Sequence, residues 1–470
     1  MKKKFAKRFL SWVMAAAMVI SMLPISAMAT GTDGNVAKIG DTQYATLKAA
    51  IDNSEDGDVI ELLADATLPT TSFPAGKSIT IDGGVEKHTI DANQAYLNIA
   101  GTIVFQNCEM NMHGVPNGHW MYMASNGSLT FKNSTVTIDG TDAADNTTAM
   151  YFPEPGDPPA DFAVENSTVV IKNCRGNGIS WGGNTSPRRN TIKITDSNFT
   201  IDNCAEKNTA GGGGIIGTFD ITITDSTVRV TNNKSYGSNG SNYDISGSTV
   251  EYSNNGTHGL SAGELKIDSS IVTTKNNGAM GITVNNGLTI ANGSVVTVTE
   301  NASSTAYGYA GMRLYNDYDF TVDSTSKLYI NNNYNTGLYV RQGNLKVEEG
   351  AVLEIMNNKV SNTLLDGYGG GIYVGYGDNY DPTVVLPADA KIYNNHAITG
   401  GDDIYVSQGV SGPSLTFGEV GSDWVLDGDP DCEHMINGWY DDSAKNRWAV
   451  HPEDDTDSVL DEDTMHAVVF

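Results

Sequence analysis

A self-similar repeat running from residue 129 to residue 395 constrains the fold more than any other feature. LTFKNSTVTIDG (129–140), FAVENSTVVIKNC (162–174), IKITDSNFTIDNC (192–204), ITITDSTVRVTNN (221–233) and YDISGSTVEYSNN (243–255) share one pattern. It continues through LKIDSSIVTTKNN (265–277), LTIANGSVVTVTEN (288–301), FTVDSTSKLYINN (320–332), LKVEEGAVLEIMNN (345–358) and VVLPADAKIYNN (384–395). Each unit is an alternating strand, a polar corner, a second alternating strand, and an Asn, Asp or Cys pair. A third short strand follows, usually after Gly: GLSA (259–262), GITV (281–284), GMRL (311–314), GLYV (337–340), GIYV (371–374).

Alternation with period two gives each strand one buried face, and a repeat of roughly 22–37 residues stacks each unit on the next. The expected fold is all-β: a right-handed parallel β-helix with three strands per coil. At about 4.8 Å per coil the rod is roughly 50 Å long. Inward residues such as Val228 and Val230, Ile282 and Val284, and Ile372 and Val374 make the core. The second strand closes at Gly140, Cys174, Cys204, Asn233, Asn255, Asn277, Asn301, Asn332, Asn358 and Asn395, so the paired asparagines form a ladder of amides along the axis. Cys174 and Cys204 then sit one coil apart, as stacked thiols in preference to a disulfide.

An exposed terminal coil is an open sheet edge and needs cover. YATLKAAIDN (44–53) is amphipathic, with Leu47, Ala50 and Ile51 on one face, which suits a capping helix before the first strand pair, DGDVIELLADATL (56–68). Past about residue 420 the pattern stops. Residues 421–470 carry 14 acidic and two basic residues, yet Trp424, Trp439 and Trp448 argue for a small cap or β-rich module over a solvated tail. The expected organisation is a signal peptide at 1–29, an N-terminal cap at 36–68, the β-helix at 69–420 and an acidic segment at 421–470.

The signal peptide is read from basic Lys2, Lys3, Lys4, Lys7 and Arg8, an apolar stretch from Phe9 to Ile25, and Ala27-Met28-Ala29 as the cleavage site. No later segment is long and apolar enough to span a bilayer, so a secreted or cell-surface location without membrane insertion is expected. With the leader's five basic residues removed, 23 Lys and Arg face 56 Asp and Glu, about −33 overall. Such a surface repels nucleic acid, anionic lipid and polyanionic glycans unless calcium or a local basic patch intervenes. Four cysteines are too few for a disulfide scaffold, and no Cys or His pattern suggests zinc.

VAKIGDTQYATLKAAIDNSEDGDVIELLADATL (36–68) resembles the opening of pectin-lyase-like β-helix surface proteins of Gram-positive bacteria. INNNYNTGLYV (330–340), IMNNKVSNTLLDGYGGGIYV (355–374) and IYNNHAITGGDDIYVS (392–407) resemble the repeats of β-helix adhesins. The resemblance covers about residues 36–410 and implies adhesion by a secreted or wall-anchored protein. An LPxTG-type sorting signal is absent, which leaves free secretion and a longer parent chain both open.

Catalysis on a β-helix requires converging groups. The nearest match to a galacturonan hydrolase is Gly256-Thr257-His258-Gly259 with Asp402-Asp403, but in reversed order and several coils apart, so both read as structural. Arg188-Arg189 in GGNTSPRRN (182–190) reads as a solvated loop. Calcium at Asp378 and Asp381 is an open alternative without diagnostic spacing; no other cofactor is expected.

Aligning the third strands gives an outward column of Tyr122, Tyr151, Ser180, Ile216, Ser261, Thr283, Arg313, Tyr339, Tyr373 and Tyr405, with Tyr315 and Arg341 beside it. Thirteen of the 21 tyrosines fall between Tyr307 and Tyr405. Arg313, Tyr315, Tyr339, Arg341, Tyr373 and Tyr405 are therefore the candidate ligand-binding residues, stacking sugar rings and bonding their edges. The same strip also fits a tyrosine ladder that stiffens the sheet. The first functional expectation is a non-catalytic, adhesin-like binder of glycans or host glycoproteins. The second is a polysaccharide lyase or glycoside hydrolase, and the third a surface spacer.

Overall fold

The computed structural model describes residues 34–116, 118–183, 188–206, 212–303, 310–360, 365, 367–375, 382–387, 390–399, 401–407, 414–417, 425–426, 435–436 and 439–441. The signal peptide, Asp378 and Asp381, and most of the acidic C-terminal segment, Trp424 and Trp448 included, lie outside these residues.

The chain is a right-handed parallel β-helix. Its second strands make one parallel sheet of 13, from Ala66–Thr67 to Lys391–Tyr393. First and third strands merge into a 27-stranded sheet. They merge because three third strands run unbroken into the next first strand, at Tyr236–Ser246, Leu260–Asp268 and Ile282–Ala291. Coil length is set at the corners: equivalent serines are 22 residues apart at Ser226 and Ser248, but 33 apart at Ser134 and Ser167. Among the described residues no helix is long and apolar enough to cross a membrane.

Alternation places the expected residues inside. Val228, Val230, Ile282, Val284, Ile372 and Val374 are all buried, each such aliphatic side chain contributing about 1.5–3 kcal/mol. Phe105, Phe131, Phe162 and Phe199 continue an aromatic series through the front coils, with centroids 5.8–6.4 Å apart. One polar knot interrupts the lumen, where the Tyr252 hydroxyl donates to that of Tyr243 at 3.0 Å and Ser238 bonds the Tyr243 hydroxyl. Its hydroxyls satisfy one another, as buried polar groups must.

Two buried ladders brace the corners. At the first corner each serine N–H donates to the hydroxyl of the next coil's serine, from Ser134 through Ser167, Ser197, Ser226, Ser248 and Ser270 to Ser294. At the second corner Asn233, Asn255, Asn277, Asn301, Asn333, Asn358 and Asn395 each donate backbone and side-chain hydrogens to Oδ1 of the next rung. Asp403 accepts the last pair.

The rung at this coil is Asn333 and not the expected Asn332. Asn332 has φ 59°, as Asn232, Asn254, Asn276, Asn357 and Asn394 have φ of 51–57°. The first Asn of each pair thus makes the left-handed turn that its short amide tolerates, and the second enters the ladder. The glycines opening the third strands complete the fit. A Cβ on Gly259 would lie 2.7 Å from Nδ2 of Asn277, and one on Gly281 would lie 2.6 Å from Nδ2 of Asn301.

At the front, helix Leu47–Asn53 buries Leu47, Ala50 and Ile51, and Thr46 Oγ1 accepts from the N–H of Ala49 at 3.1 Å. That side chain satisfies an otherwise orphaned N-terminal donor. Cys174 and Cys204 are free thiols stacked one coil apart, and Cys108 is free and buried. At the rear the coil pattern runs past residue 420: Trp439–Asp441 pairs in parallel with Ile404–Val406.

Candidate functional site: the outer face of the third strands

Register along the third strands fixes which residues share the outer column. It runs Asn98, Tyr122, Tyr151, Ser180, Ile216, Asn239, Ser261, Thr283, Arg313, Tyr339, Tyr373, Tyr405 and Tyr440, each paired with the next. The sequence alignment skipped Asn239, because no corner separates third from first strand in Tyr236–Ser246 and the usual punctuation is missing.

The rear half of this column is covered. Tyr339, Tyr373 and Tyr405 are 3%, 6% and 2% exposed and pack with Ala310 and Leu365, while Tyr368 stacks on Tyr405 at 4.4 Å. Tyr373 meets Tyr339 edge-on at 5.3 Å and Tyr405 at 4.8 Å. The expected exposed strip is therefore corrected at these three residues. Their rings are stacked in register, but the segment carrying Leu365 and Tyr368 crosses over them and leaves no ring face for a sugar. Alternation alone could not reveal this, since it assigns a side chain to a side of the sheet and says nothing of what lies above.

Arg313, Tyr315 and Arg341 remain half-buried at the surface. Both guanidinium groups lie over the Tyr315 ring, their carbons 4.1 and 4.2 Å from its centroid. The two cationic carbons are thus at most 8.3 Å apart, the sum of those distances. An aromatic quadrupole offsets part of their repulsion, by about 0.5–1 kcal/mol per contact at an accessible site. Arg313 Nη1 also reaches Met280 Sδ at 3.8 Å. His258, stacked on Tyr236 at 5.1 Å, feels the same charge: burial first, and then Arg313, bring its pKa down to about 4. This sets a neutral imidazole beside a cation, and sequence reading missed the pairing because the two residues come from different coils.

The other candidates prove structural. His258 and Asp402 stand five coil steps apart along the third-strand starts, through Met280, Ala310, Thr336 and Gly370. That is roughly 24 Å, beyond the reach of a carboxylate–histidine site. Asp403 ends the amide ladder, and Asp402 Oδ1 accepts from the N–H of Ala397 at 2.6 Å. Arg188 donates to Gly156 O and to Asp157, tying two loops together, and Arg189 donates to Gly240 O at 3.3 Å. Neither is a free loop cation. Among the described residues no cluster of His, Cys, Asp or Glu could hold a metal ion.

No family model matches the chain, and no curated protein matches it. Solved structures do. A crystal structure of the periplasmic alginate epimerase AlgG aligns over 77% of this chain and 82% of its own, with 13% identity and a TM-score of 0.36. A double mutant of the same enzyme aligns over 83% of this chain and 88% of its own, with 12% identity and a TM-score of 0.33. At such identity and TM-score the likeness is a general one of architecture, and the fold stands on the chain's own strand register.

Proposed function

We propose that this chain is an exported, non-catalytic, adhesin-like solenoid that binds a glycan, free or on a host glycoprotein, along the outer face of its third strands. The observation that carries the reading is the Arg313–Tyr315–Arg341 cluster: two guanidinium groups held over one ring, half-exposed, on a chain of net charge −28. Guanidinium forks bond sugar hydroxyls and carboxylates along two parallel lines, and a pinned fork loses little freedom on binding. Tyr339, Tyr373 and Tyr405 serve as the rigid bed next to it. The cluster is also the local basic patch that a polyanionic glycan needs on so acidic a protein.

A glycan-array screen of residues 30–470 tests this, with wild type beside an Arg313→Gln/Arg341→Gln variant and a Tyr315→Ala variant. Expected is a defined set of intact glycans bound by wild type and lost by both folded variants. Binding that both variants leave unchanged would remove the site, and no binding at all would favour a spacer.

A second reading has one observation behind it. His258, neutral above about pH 4 and near Arg313, is in the state a base needs to take a proton next to a carboxylate that an arginine neutralises. Shortened oligosaccharides after incubation, abolished by His258→Gln, would put this reading ahead.

A further inference from the structure

The front end of the same face holds a second cluster, independent of the arginines. Tyr151 lies six coil steps ahead of Arg313, roughly 29 Å along the axis. Here the outer column is Asn98, Tyr122, Tyr151 and Ser180 on four successive coils. Tyr96 packs against Tyr122 at 6.4 Å, Tyr122 stacks on Tyr151 at 5.8 Å, and the His119 imidazole stacks on Tyr151 at 4.6 Å with an interplanar angle of 12°. Tyr96, His119, Tyr122 and Tyr151 are all half-buried, in contrast to the covered tyrosines at the rear.

Two polar atoms on these side chains, both buried, have no hydrogen-bond partner among the described residues: Asn98 Oδ1 and His119 Nδ1. Such atoms are rare in folded proteins and each one left unmade is costly. An amide flip of Asn98 or a ring flip of His119 exchanges donor and acceptor positions without moving the backbone. The backbone is adapted to the cluster as well. Gly182 runs against the Tyr151 hydroxyl so closely that any Cβ would collide with it, and a Cβ on Gly183 would lie 2.8 Å from the Trp181 ring. Arg188, by bonding Gly156 and Asp157, is tied to the loop that follows the Tyr151 strand.

Charge identifies what fits. The four strands that carry these residues, Leu97–Ile99, His119–Met123, Thr148–Phe152 and Ile179–Trp181, contain no Asp, Glu, Lys or Arg, on a chain with 84 such residues. Burial holds the His119 pKa below its ordinary value, so the imidazole adds no charge either. Aromatic edges, tyrosine hydroxyls, one orphan acceptor and an imidazole that can donate or accept are what vicinal hydroxyls satisfy.

We propose that Asn98, His119, Tyr122 and Tyr151 form a binding site for an uncharged saccharide, separate from the arginine cluster. Sugar hydroxyls bond the Asn98 amide and the Tyr122 and Tyr151 hydroxyls, with His119 completing the set.

The test is titration of the full mature chain with neutral oligosaccharides of glucose, galactose, mannose and N-acetylglucosamine, followed by tryptophan emission and calorimetry. Ligand protection of His119 from diethyl pyrocarbonate, read by peptide mass, needs no variant. Expected is saturable binding to one of these sugars, protection of His119, and a loss of about tenfold or more in His119→Ala and in the milder Tyr122→Phe/Tyr151→Phe pair. Arg313→Gln/Arg341→Gln should retain it, which separates this site from the one proposed above. Absence of neutral-sugar binding at millimolar concentration would overturn the proposal. So would binding without His119 protection, or binding that the arginine variant alone removes.

Discussion

Replacing Asn277 by Ala removes the third of the seven asparagine rungs of the amide ladder, and the cost follows from the bonds that rung makes. Its Oδ1 accepts from the backbone N–H and the Nδ2 of Asn255 at 3.0 and 2.9 Å. Its own Nδ2 donates to the Tyr252 carbonyl at 3.0 Å and to Asn301 Oδ1 at 2.9 Å. After substitution, Asn255 Nδ2 keeps the Val230 carbonyl at 3.1 Å, and Asn301 Oδ1 keeps the backbone N–H at 277. The Asn255 N–H loses this acceptor in a site that water does not reach. An unmade buried bond costs about 1–3 kcal/mol, and three further bonds at about 1 kcal/mol each bring the loss to roughly 4–6 kcal/mol. The control is Asn276→Gly, one residue earlier. There φ is 51°, which glycine adopts freely, and the bond lost, Nδ2 to Asn254 Oδ1, is exposed, so the change should stay under about 1 kcal/mol. Urea unfolding of both variants, with hydrogen exchange at neighbouring coils to detect local opening, makes the comparison. If Asn277→Ala lies within about 1 kcal/mol of Asn276→Gly, the ladder does not stabilise the solenoid as argued.

Further outcomes follow from the same geometry. Gly281→Ala should destabilise by a similar amount, since its Cβ would lie 2.6 Å from both Asn301 Nδ2 and Thr274 Oγ1; a variant as stable as wild type would show that the glycine column is incidental. Burial pushes the Cys108 thiol up to about 11, and Cys174, beside Cys204 and fully buried, rises well above its ordinary value. Cys108 and Cys174, and Cys204 because it is buried, should resist alkylation at pH 8 until urea unfolds the coils, and rapid native-state labelling at Cys108, Cys174 or Cys204, located by peptide mass, would contradict this. His258 falls from 6.5 to about 4, so its contribution is full above pH 6.5 and is lost as pH falls from there toward 4. At 1.36 kcal/mol per decade that contribution is at most about 3 kcal/mol, less for a half-buried ring. The stability of wild type minus that of His258→Asn should trace this curve, and Arg313→Gln should move the NMR titration of His258 upward.

The architecture was legible because its determinants are local. Alternation around Val228 and Val230 or Ile282 and Val284 names the buried face, and the recurring Asn pair marks the second corner. Within INNNYN three consecutive asparagines offer two registers, and only the left-handed turn at Asn332 selects Asn333 as the rung. The candidate site was legible as a column and not as a surface. Register placed Arg313, Tyr339, Tyr373 and Tyr405 on successive coils, whereas the cover over the tyrosines comes from a long corner segment whose path no periodicity encodes. His119 escaped notice for a related reason. It enters the front cluster through a strand irregularity at Trp120 and Met121, both buried in succession, where two-residue alternation fails.

The amide ladder also has a direction. From Asn233 to Asn395 every rung hands its backbone hydrogen and one amide hydrogen forward to the next Oδ1, so seven side-chain dipoles point one way. Stacked asparagines in fibrils obey the same rule without limit, because every new chain presents another amide. Here Asp403 presents a carboxylate, which takes the last two hydrogens and, while ionised, has none to pass on. The array is thus a sentence with a full stop: its length is written into the covalent chain, and a polymer-like motif becomes a finite, folded object.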